Sequence, residues 1–226
     1  MEQPIIIVSG LEAAHLAKVY QRVFRTHHQA PGYALLSFQD AIGSRTLRRS
    51  MLALKRELAS SYQQDFQQEL DALWLTRFDQ QNTTQFHRDN APRESFLVLG
   101  YEPTPISSHL QFADYHRFMT EQGLTAAQYY ERYNPLFHNK GQHLKPYRTE
   151  PIPLDSQAYQ IAVINNSELD SPQTCGLLHR AVMQNPDPQE VRVVNSMMLY
   201  GKSPAAPPQT TPFDERTFWQ TDQINR

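Results

Sequence analysis

The feature that most constrains the fold of this chain is a set of metal-binding side chains divided between two distant segments. His87-Arg88-Asp89 follows the polar, β-leaning run 82–86, and His179 lies 92 residues beyond His87. In an extended strand alternate side chains point the same way, so His87 and Asp89 can approach one ion while Arg88 points elsewhere. A fold that uses all three ligands must bring His179 to the same point.

Short apolar segments bounded by turn residues predict a mainly β core around these ligands. His179 lies within one such run, 176–182, and Arg192 lies within another. An arginine inside an apolar strand needs a partner, because an unpaired buried charge is costly and a guanidinium suits a carboxylate. The run that contains Arg192 is 190–199, and the other predicted strands are 1–8, 33–38, 95–101 and 158–164.

Two imidazoles and one carboxylate with an open opposite side form the ligand set associated with non-haem Fe(II) oxygenases. The order and approximate spacing of His87, Asp89, His179 and Arg192 resemble the pattern of the Fe(II)/2-oxoglutarate-dependent oxygenases. The resemblance covers roughly residues 70–200. It implies that the first three side chains bind Fe(II) and that Arg192 binds the distal carboxylate of 2-oxoglutarate. It further implies that O2 is consumed, that succinate and CO2 are released, and that a small organic substrate is hydroxylated.

One position departs from the pattern of that family. Many members carry Ser or Thr two positions after the arginine, where this chain has Val194. Asn195 and Ser196 are therefore the remaining candidates for a second cosubstrate-binding residue.

The resemblance implies one oxygenase-like domain over residues 1–226, with a double-stranded β-helix (jelly roll, cupin-like) core and N-terminal helices packed on one sheet. A stripe of apolar residues from Ser44 onward has helical spacing and predicts a long helix against that sheet. The stripe consists of Leu47, Met51, Leu54, Leu58, Tyr62, Phe66, Leu70 and Leu73. The tail, about 201–226, is Pro-rich between Pro204 and Pro212 and predicts an extended strap whose aromatic residues dock on the body.

Residues 103–150 are predicted to form a helical insertion between barrel strands. The insertion contains Tyr129, Tyr130 and Tyr133 at helical spacing. In oxygenases that this chain resembles, such insertions often shape the substrate pocket, and an aromatic lid would bury a small substrate. The alternative is that the same aromatic residues anchor the insertion to the core.

Composition excludes several classes of protein. A net charge of −2 and a pI near 6.5 provide no basic field for long nucleic acid. A mean hydropathy of −0.62, with no run of eighteen apolar residues, predicts no membrane span, and residues 1–8 favour a strand over a signal peptide. The single cysteine, Cys175, excludes an internal disulfide and suits a cytoplasmic protein. The oligomeric state is left open.

Two other functions and another ligand set stay open. A cupin-like metal oxygenase without 2-oxoglutarate would keep the ligands but have no use for Arg192, and a non-catalytic jelly-roll binding protein could share the scaffold. His109, His116, His138 and His143 could form a different metal set, although none has a short ligand spacing. His28 is expected to stabilise a helix end, and Cys175 to be a small residue in the loop before His179.

Overall fold

The computed structural model describes residues 5–133, 139–202 and 213–225, and within them nine strands form two sheets flanked by helices. The strands are β1 (Ile5–Val8), β2 (Tyr33–Phe38), β3 (Leu70–Asp79), β4 (Ser95–Tyr101), β5 (Ser108–Ala113), β6 (Ile152–Pro153), β7 (Gln160–Asn165), β8 (Leu178–Met183) and β9 (Val193–Gly201). The helices are α1 (Ala13–Val23), α2 (Ser44–Phe66), α3 (Tyr115–Glu121), α4 (Ala126–Tyr133) and α5 (Glu215–Gln220), with a 3₁₀ helix at Asn139–Tyr147.

The large sheet has the strand order β1-β2-β7-β4-β9-β3, and the small sheet has the order β6-β5-β8. Only the β1–β2 pair is parallel; the other pairs in both sheets are antiparallel. The described architecture is therefore a mainly β core with mixed sheet pairing and peripheral helices. The predicted strands 33–38 and 95–101 coincide with β2 and β4, and the other predicted strands overlap β1, β7, β8 and β9.

Alternation along the strands divides the interior into three apolar clusters. Phe96 and Val98 of β4 pack toward α1 and α2, whereas Leu97 and Leu99 pack toward Leu110 of the small sheet. The third cluster lies on the far side of the small sheet, where α3 and α4 cover it. The order of layers is helices, large sheet, small sheet, helices. Because both faces of β4 are buried, its sequence is a continuous apolar run.

The long helix α2 packs closely on the large sheet. A Cβ atom at Gly100 would lie 2.6 Å from the Met51 sulfur, so β4 and α2 approach closely because this position has no side chain. The helix ends at Phe66, and Gln67 has a left-handed conformation with φ of 53°. The spacing of Leu70 and Leu73 predicted that they would continue the helix. They belong to β3 instead.

The insertion is shorter than the predicted range 103–150. Residues 108–113 form the central strand of the small sheet, so the helical part begins at Tyr115 and ends at Tyr147. In the C-terminal region, residues 203–212 lie outside the described part, but Phe218 is buried among the residues that pack between α2 and the large sheet. The tail thus docks through its aromatic residues. Among the described residues no helix is long and apolar enough to cross a membrane.

Candidate metal centre

The motif and the distal histidine meet through the backbone. The His87 N–H donates to the His179 carbonyl at 3.0 Å, and the His179 N–H donates to the His87 carbonyl at 2.9 Å. Thr84 extends the pairing, because its N–H donates to the Ala181 carbonyl at 2.9 Å. The sequence predicted that the motif ends a regular strand. In the structure His87 instead forms an isolated antiparallel bridge with His179 of β8.

One potential ligand atom from each of His87, Asp89 and His179 lies within 4.8 Å of the other two. His87 Nε2 is 3.4 Å from Asp89 Oδ1, and the two imidazole rings have centroids 4.4 Å apart. His179 is 5% exposed, whereas the side chains of His87 and Asp89 are 27% and 30% exposed. The group is closed on the β8 side and accessible on the side of the motif.

Hydrogen bonds orient this group. His87 Nδ1 donates a hydrogen bond to the Gln85 carbonyl at 2.8 Å, so Nε2, which faces Asp89 Oδ1 at 3.4 Å, is the nitrogen turned toward the metal-binding group. The buried Nδ1 of His179 has no hydrogen-bond partner in the described part of the chain.

Burial and mutual contact shift the pKa values of the three groups. Burial, and then the charge of His87, lowers the pKa of His179. Burial alone would lower the pKa of His87, but hydrogen bonds to Asp89 and Gln85 outweigh it and raise the value. For Asp89, burial is opposed by the two imidazoles, which lower the carboxyl pKa overall. The site therefore favours an ionised carboxylate beside a neutral, buried imidazole.

A buried amide holds the backbone of Asp89. Asn166 follows the end of β7 and is fully buried. Its Oδ1 accepts from the Asp89 N–H at 2.9 Å, and its Nδ2 donates to the Asp89 carbonyl at 3.1 Å and to Ser95 Oγ at 3.0 Å. Arg88 points elsewhere, as predicted, and forms an ion pair with Glu168.

Arg192 lies immediately before β9 and is 2% exposed. Its Nε donates to Ser108 Oγ at 3.0 Å, its Nη1 donates to Gln80 Oε1 at 2.7 Å, and its guanidinium lies over the Tyr101 ring at 4.9 Å. The Arg192 guanidinium and the Tyr101 hydroxyl interact with each other, and in the described part of the chain neither Nη2 of Arg192 nor that hydroxyl has a further hydrogen-bond partner. Burial raises the pKa of Tyr101 to about 12, so its hydroxyl keeps its proton. Two buried donors are thus available at one position.

The two further cosubstrate candidates lie in different surroundings. Asn195 donates to Glu102 Oε1 at 2.9 Å and accepts from Arg48 of α2 at 3.4 Å, so its side chain faces the helices. This corrects the expectation for Asn195, because the face of β9 that points toward the small sheet carries Val194. Ser196 is buried, and its hydroxyl donates to the Thr76 carbonyl at 3.3 Å.

The three tyrosines of the predicted lid have different environments. Tyr129 is fully buried on the outer side of the small sheet, and its hydroxyl is 3.2 Å from His143 Nε2. Tyr133 packs against Phe118 with ring centroids 5.2 Å apart. The expectation of a lid role is therefore corrected for Tyr129, which anchors the insertion. Tyr130 is 41% exposed.

Tyr130 lies close to the motif. Burial and the nearby Glu168 carboxylate raise the pKa of the Tyr130 hydroxyl, while Arg88 opposes them. The ring therefore lies near the Arg88–Glu168 ion pair. Of the alternative metal set, His138 lies outside the described residues, and His143 contacts Tyr129 instead of the metal-binding group.

Sequence reasoning missed the residues that support this site. Asn166 had a weak signal, since the run Asn165-Asn166-Ser167 marks the end of a predicted strand. Tyr101 and Ser108 had none, because their role depends on the packing of one sheet on the other.

Comparison with known proteins found distant structural likeness only. No protein-family model matches the chain, and no curated protein matches it. Solved structures of the Kdo hydroxylase KdoO, a non-haem Fe(II) alpha-ketoglutarate-dependent dioxygenase, do match. The complexes with succinate and Fe(III) and with alpha-ketoglutarate and Fe(III) have TM-scores of 0.39 and 0.38 at 11% identity. The apo structure has a TM-score of 0.38 at 12% identity.

These alignments cover 88% of this chain and 89–90% of KdoO. Because the likeness is distant, the function proposed below is derived from the geometry of this chain's own site.

Proposed function

We propose that this protein is a non-haem Fe(II)/2-oxoglutarate-dependent dioxygenase that hydroxylates a small organic substrate. The observation that carries the proposal is the meeting of His87, Asp89 and His179 around one point, although the chain separates the motif from the distal histidine by 92 residues. Two imidazoles and a carboxylate on one side of a metal are the ligand set of this class of iron enzyme.

The donor set fits Fe(II). The carboxylate is ionised, His87 Nε2 faces that carboxylate at 3.4 Å, and His179 is buried with an unsatisfied ring nitrogen. The exposed sides of His87 and Asp89 give an ion and a substrate access to the group. Asn166 fixes the backbone of the carboxylate ligand, as residues behind a metal ligand commonly do.

The surroundings of Arg192 fit a dicarboxylic cosubstrate. Within the described residues the guanidinium donates to the neutral groups Ser108 and Gln80, and its Nη2 and the Tyr101 hydroxyl have no partner beyond each other. Such buried donors are costly unless a ligand satisfies them, and a carboxylate accepts from both. Ser108 holds Arg192 at one end of β5, while His179 pairs with Phe112 near the other end. A bound dicarboxylate could therefore lie between the cation and the metal ligands.

The chain's contribution to the reaction is binding, orientation and exclusion of water. When bound, iron and 2-oxoglutarate supply the oxidising chemistry and yield succinate and CO2. His87, Asp89 and His179 would hold the metal. Arg192 and Tyr101 would hold the far carboxylate of the cosubstrate in a buried pocket. The Gln85 carbonyl keeps the proton of His87 on Nδ1.

Four further assignments belong to the same proposal. The facing sheets are interpreted as a double-stranded β-helix, residues 1–226 as one oxygenase-like domain, and the protein as cytoplasmic. Tyr130, which is 41% exposed and lies near the Arg88–Glu168 ion pair, is the lid residue we retain. Support for the β-helix comes from the shared apolar cluster between the two sheets, which joins Leu97 and Leu99 to Leu110 and Phe112.

The test is iron-dependent release of succinate from 2-oxoglutarate by the purified protein. We expect release with Fe(II) and O2, and a further increase when a screen of amino acids, their derivatives and small metabolites includes the substrate. Metal binding without succinate release would favour the cupin-like alternative, and absence of both would favour a binding protein. The buried Arg192, with a donor left over, disfavours the cupin-like alternative, which has no use for it.

A further inference from the structure

A second group of metal-ligating side chains lies outside the centre described above. Ligand atoms of His28, His116 and Cys175 all lie within 4.8 Å of one another. His28 follows α1, His116 lies in the first turn of α3, and Cys175 lies between β7 and β8. The sequence suggested structural roles for His28 and Cys175 and placed His116 in a different candidate metal set, so the meeting of these three is a product of the tertiary fold.

One buried arginine ties together the three segments that carry this group. Arg25 is 3% exposed; its Nε donates to the Cys175 carbonyl at 2.9 Å, and its Nη2 donates to the Gly176 carbonyl at 3.2 Å. Its Nη1 donates to the Ala30 carbonyl at 3.0 Å and to Asp114 Oδ2 at 2.8 Å. Asp114 in turn caps α3, two residues before His116. The three ligand-bearing segments are therefore held in fixed relation before any ion binds.

Close packing behind Cys175 adds to this rigidity. A Cβ atom at Gly176 would lie 1.9 Å from the Ser167 carbonyl oxygen, so the segment after Cys175 is pressed against its neighbour. The Cys175 N–H donates to the Arg25 carbonyl at 2.9 Å. Since the backbone is fixed on both sides, the sulfur has a defined position.

The two imidazoles are prepared for ligation. The Nδ1 atoms of His28 and His116 are buried, and neither has a hydrogen-bond partner in the part of the chain that the structure describes. Their ring centroids are 5.2 Å apart at an angle of 45°. Burial lowers the pKa of both rings, that of His116 to about 4, so both are neutral near pH 7. A buried nitrogen without a partner is costly, and a bound ion would satisfy it.

We propose that His28, His116 and Cys175 form a second metal site, which binds a borderline transition-metal ion of the Zn²⁺ type. Two imidazoles and one thiolate suit Zn²⁺ and leave a fourth position for water. The carboxylate-containing centre at Asp89 has a harder donor set. The two histidines are half-exposed, so an ion can enter from solvent, and Cys175 releases its thiol proton to solvent when it binds.

The geometry requires only a small adjustment. In a tetrahedral zinc site with bonds of about 2.0–2.3 Å, ligand atoms lie roughly 3.5 Å apart, so the present group, with ligand atoms no more than 4.8 Å apart, needs to contract by at most about 1.3 Å. His28 lies on a connecting segment and can move by this amount. Cys175 precedes His179 by four residues, at most about 13 Å along an extended chain. The ion would therefore fasten the segment that delivers the distal histidine to β8.

Titration with Co²⁺ as a spectroscopic substitute for Zn²⁺ tests the proposal. Cys175 is the only cysteine in the chain, so a thiolate-to-Co²⁺ charge-transfer band can arise from this site alone. We expect the band in the native protein and in Asp89→Ala, which disables the other centre. His28→Ala and His116→Gln should require at least about tenfold more Co²⁺, as expected for loss of one ligand.

The control variants distinguish a preformed three-residue metal site from metal binding by the Cys175 thiol alone. His109→Ala removes a half-buried histidine of β5 that belongs to neither group, and it should leave the band unchanged. Cys175→Ser should abolish the band and reduce bound Zn²⁺ by one ion per chain in equilibrium dialysis, while circular dichroism shows an unchanged fold. A native protein without the band overturns the proposal. A band that persists at the same Co²⁺ concentration in both histidine variants also overturns it. Neither result bears on succinate release, so the proposed function is tested separately.

Discussion

The two faces of the small sheet are built from the same strands but serve different purposes. The inner face, which points to the large sheet, carries His179 near one end and Ser108, which holds Arg192, at the other. The unsatisfied ring nitrogen of His179 belongs to this sheet, and the large sheet opposite contributes Tyr101 at the end of β4 and Arg192 just before β9. The outer face packs Leu178 and Ala113 against the aromatic residues of the insertion.

This difference separates function from stability. Unsatisfied buried polar groups lower stability and are retained where a ligand uses them, whereas a packed aromatic cluster contributes through burial. Inner-face substitutions should therefore impair binding and turnover with little loss of stability, and outer-face substitutions should do the reverse. The four predictions below test that separation.

The largest effect is expected at the carboxylate ligand. Asp89→Ala should lower Fe(II) affinity by more than about 100-fold and abolish succinate release, because it removes a ligand and not only a supporting group. His87→Ala and His179→Ala should do the same. Isothermal titration under anaerobic conditions measures the affinity. Tight Fe(II) binding by Asp89→Ala, with His143→Ala unable to bind, would show that the wrong set of ligands has been assigned.

The next effect concerns the cosubstrate. Arg192→Ala should weaken 2-oxoglutarate binding by about 10- to 100-fold, since a hydrogen bond to a charged group contributes about 1.5–3 kcal/mol. Fe(II) affinity should not change, because the metal ligands stay intact. Lysine at this position should restore binding only in part, since a point charge cannot reproduce the planar fork.

The absorption change on adding 2-oxoglutarate to the anaerobic Fe(II) protein reports this binding. Arg192→Ala should need more cosubstrate to reach the same change. An unaltered cosubstrate affinity would return weight to the cupin-like alternative.

Asn165 and Asn166 are adjacent buried asparagines, and only Asn166 binds the backbone of the metal ligand Asp89, so their alanine variants form a matched pair. Asn166→Ala should weaken Fe(II) binding by about 10-fold or more, because two hydrogen bonds no longer fix the backbone of Asp89. Asn165→Ala is the control: its amide donates to the Val23 carbonyl and to Thr174, away from the metal ligands. It should lower thermal stability and leave Fe(II) affinity intact. Equal effects of both variants on Fe(II) affinity would remove the assigned role of Asn166.

The smallest functional effect is expected in the insertion, where two adjacent tyrosines differ in burial. Tyr129→Ala should cost about 3–5 kcal/mol of unfolding free energy, as removal of a buried aromatic side chain usually does. Tyr130→Ala should cost less than about 0.5 kcal/mol, since its ring is partly exposed.

The same two variants test the lid. Tyr130→Ala should reduce substrate oxidation relative to uncoupled succinate formation, while Tyr129→Ala should keep the two reactions coupled. Denaturant titration and the ratio of the two products measure these effects. Coupling that is lost in Tyr129→Ala and kept in Tyr130→Ala would contradict the assignment of Tyr129 as the anchor and Tyr130 as the lid residue.

The sequence by itself determined those features that depend on local pattern. The spacing in His87-Arg88-Asp89 separates the ligands from Arg88, and apolar runs bounded by turns located β2 and β4. Helical spacing located the start of α2, but it could not locate its end. Leu70 and Leu73 continue the three- and four-residue spacing, and only the left-handed Gln67 stops the helix.

Only the tertiary structure decided which faces meet. Asn195 lies three residues after Arg192, and alternation along a strand places such residues on opposite faces. Only the packing of α2 on β9 shows that the Asn195 amide binds Arg48. From the sequence alone Tyr129 and Tyr130 are equal candidates for the lid. In the fold Tyr129 is fully buried, whereas Tyr130 is 41% exposed. The meeting of His28, His116 and Cys175 likewise depends on Arg25 joining three distant segments. Local propensity acts over a few residues, whereas these contacts arise from burial between elements far apart in the chain.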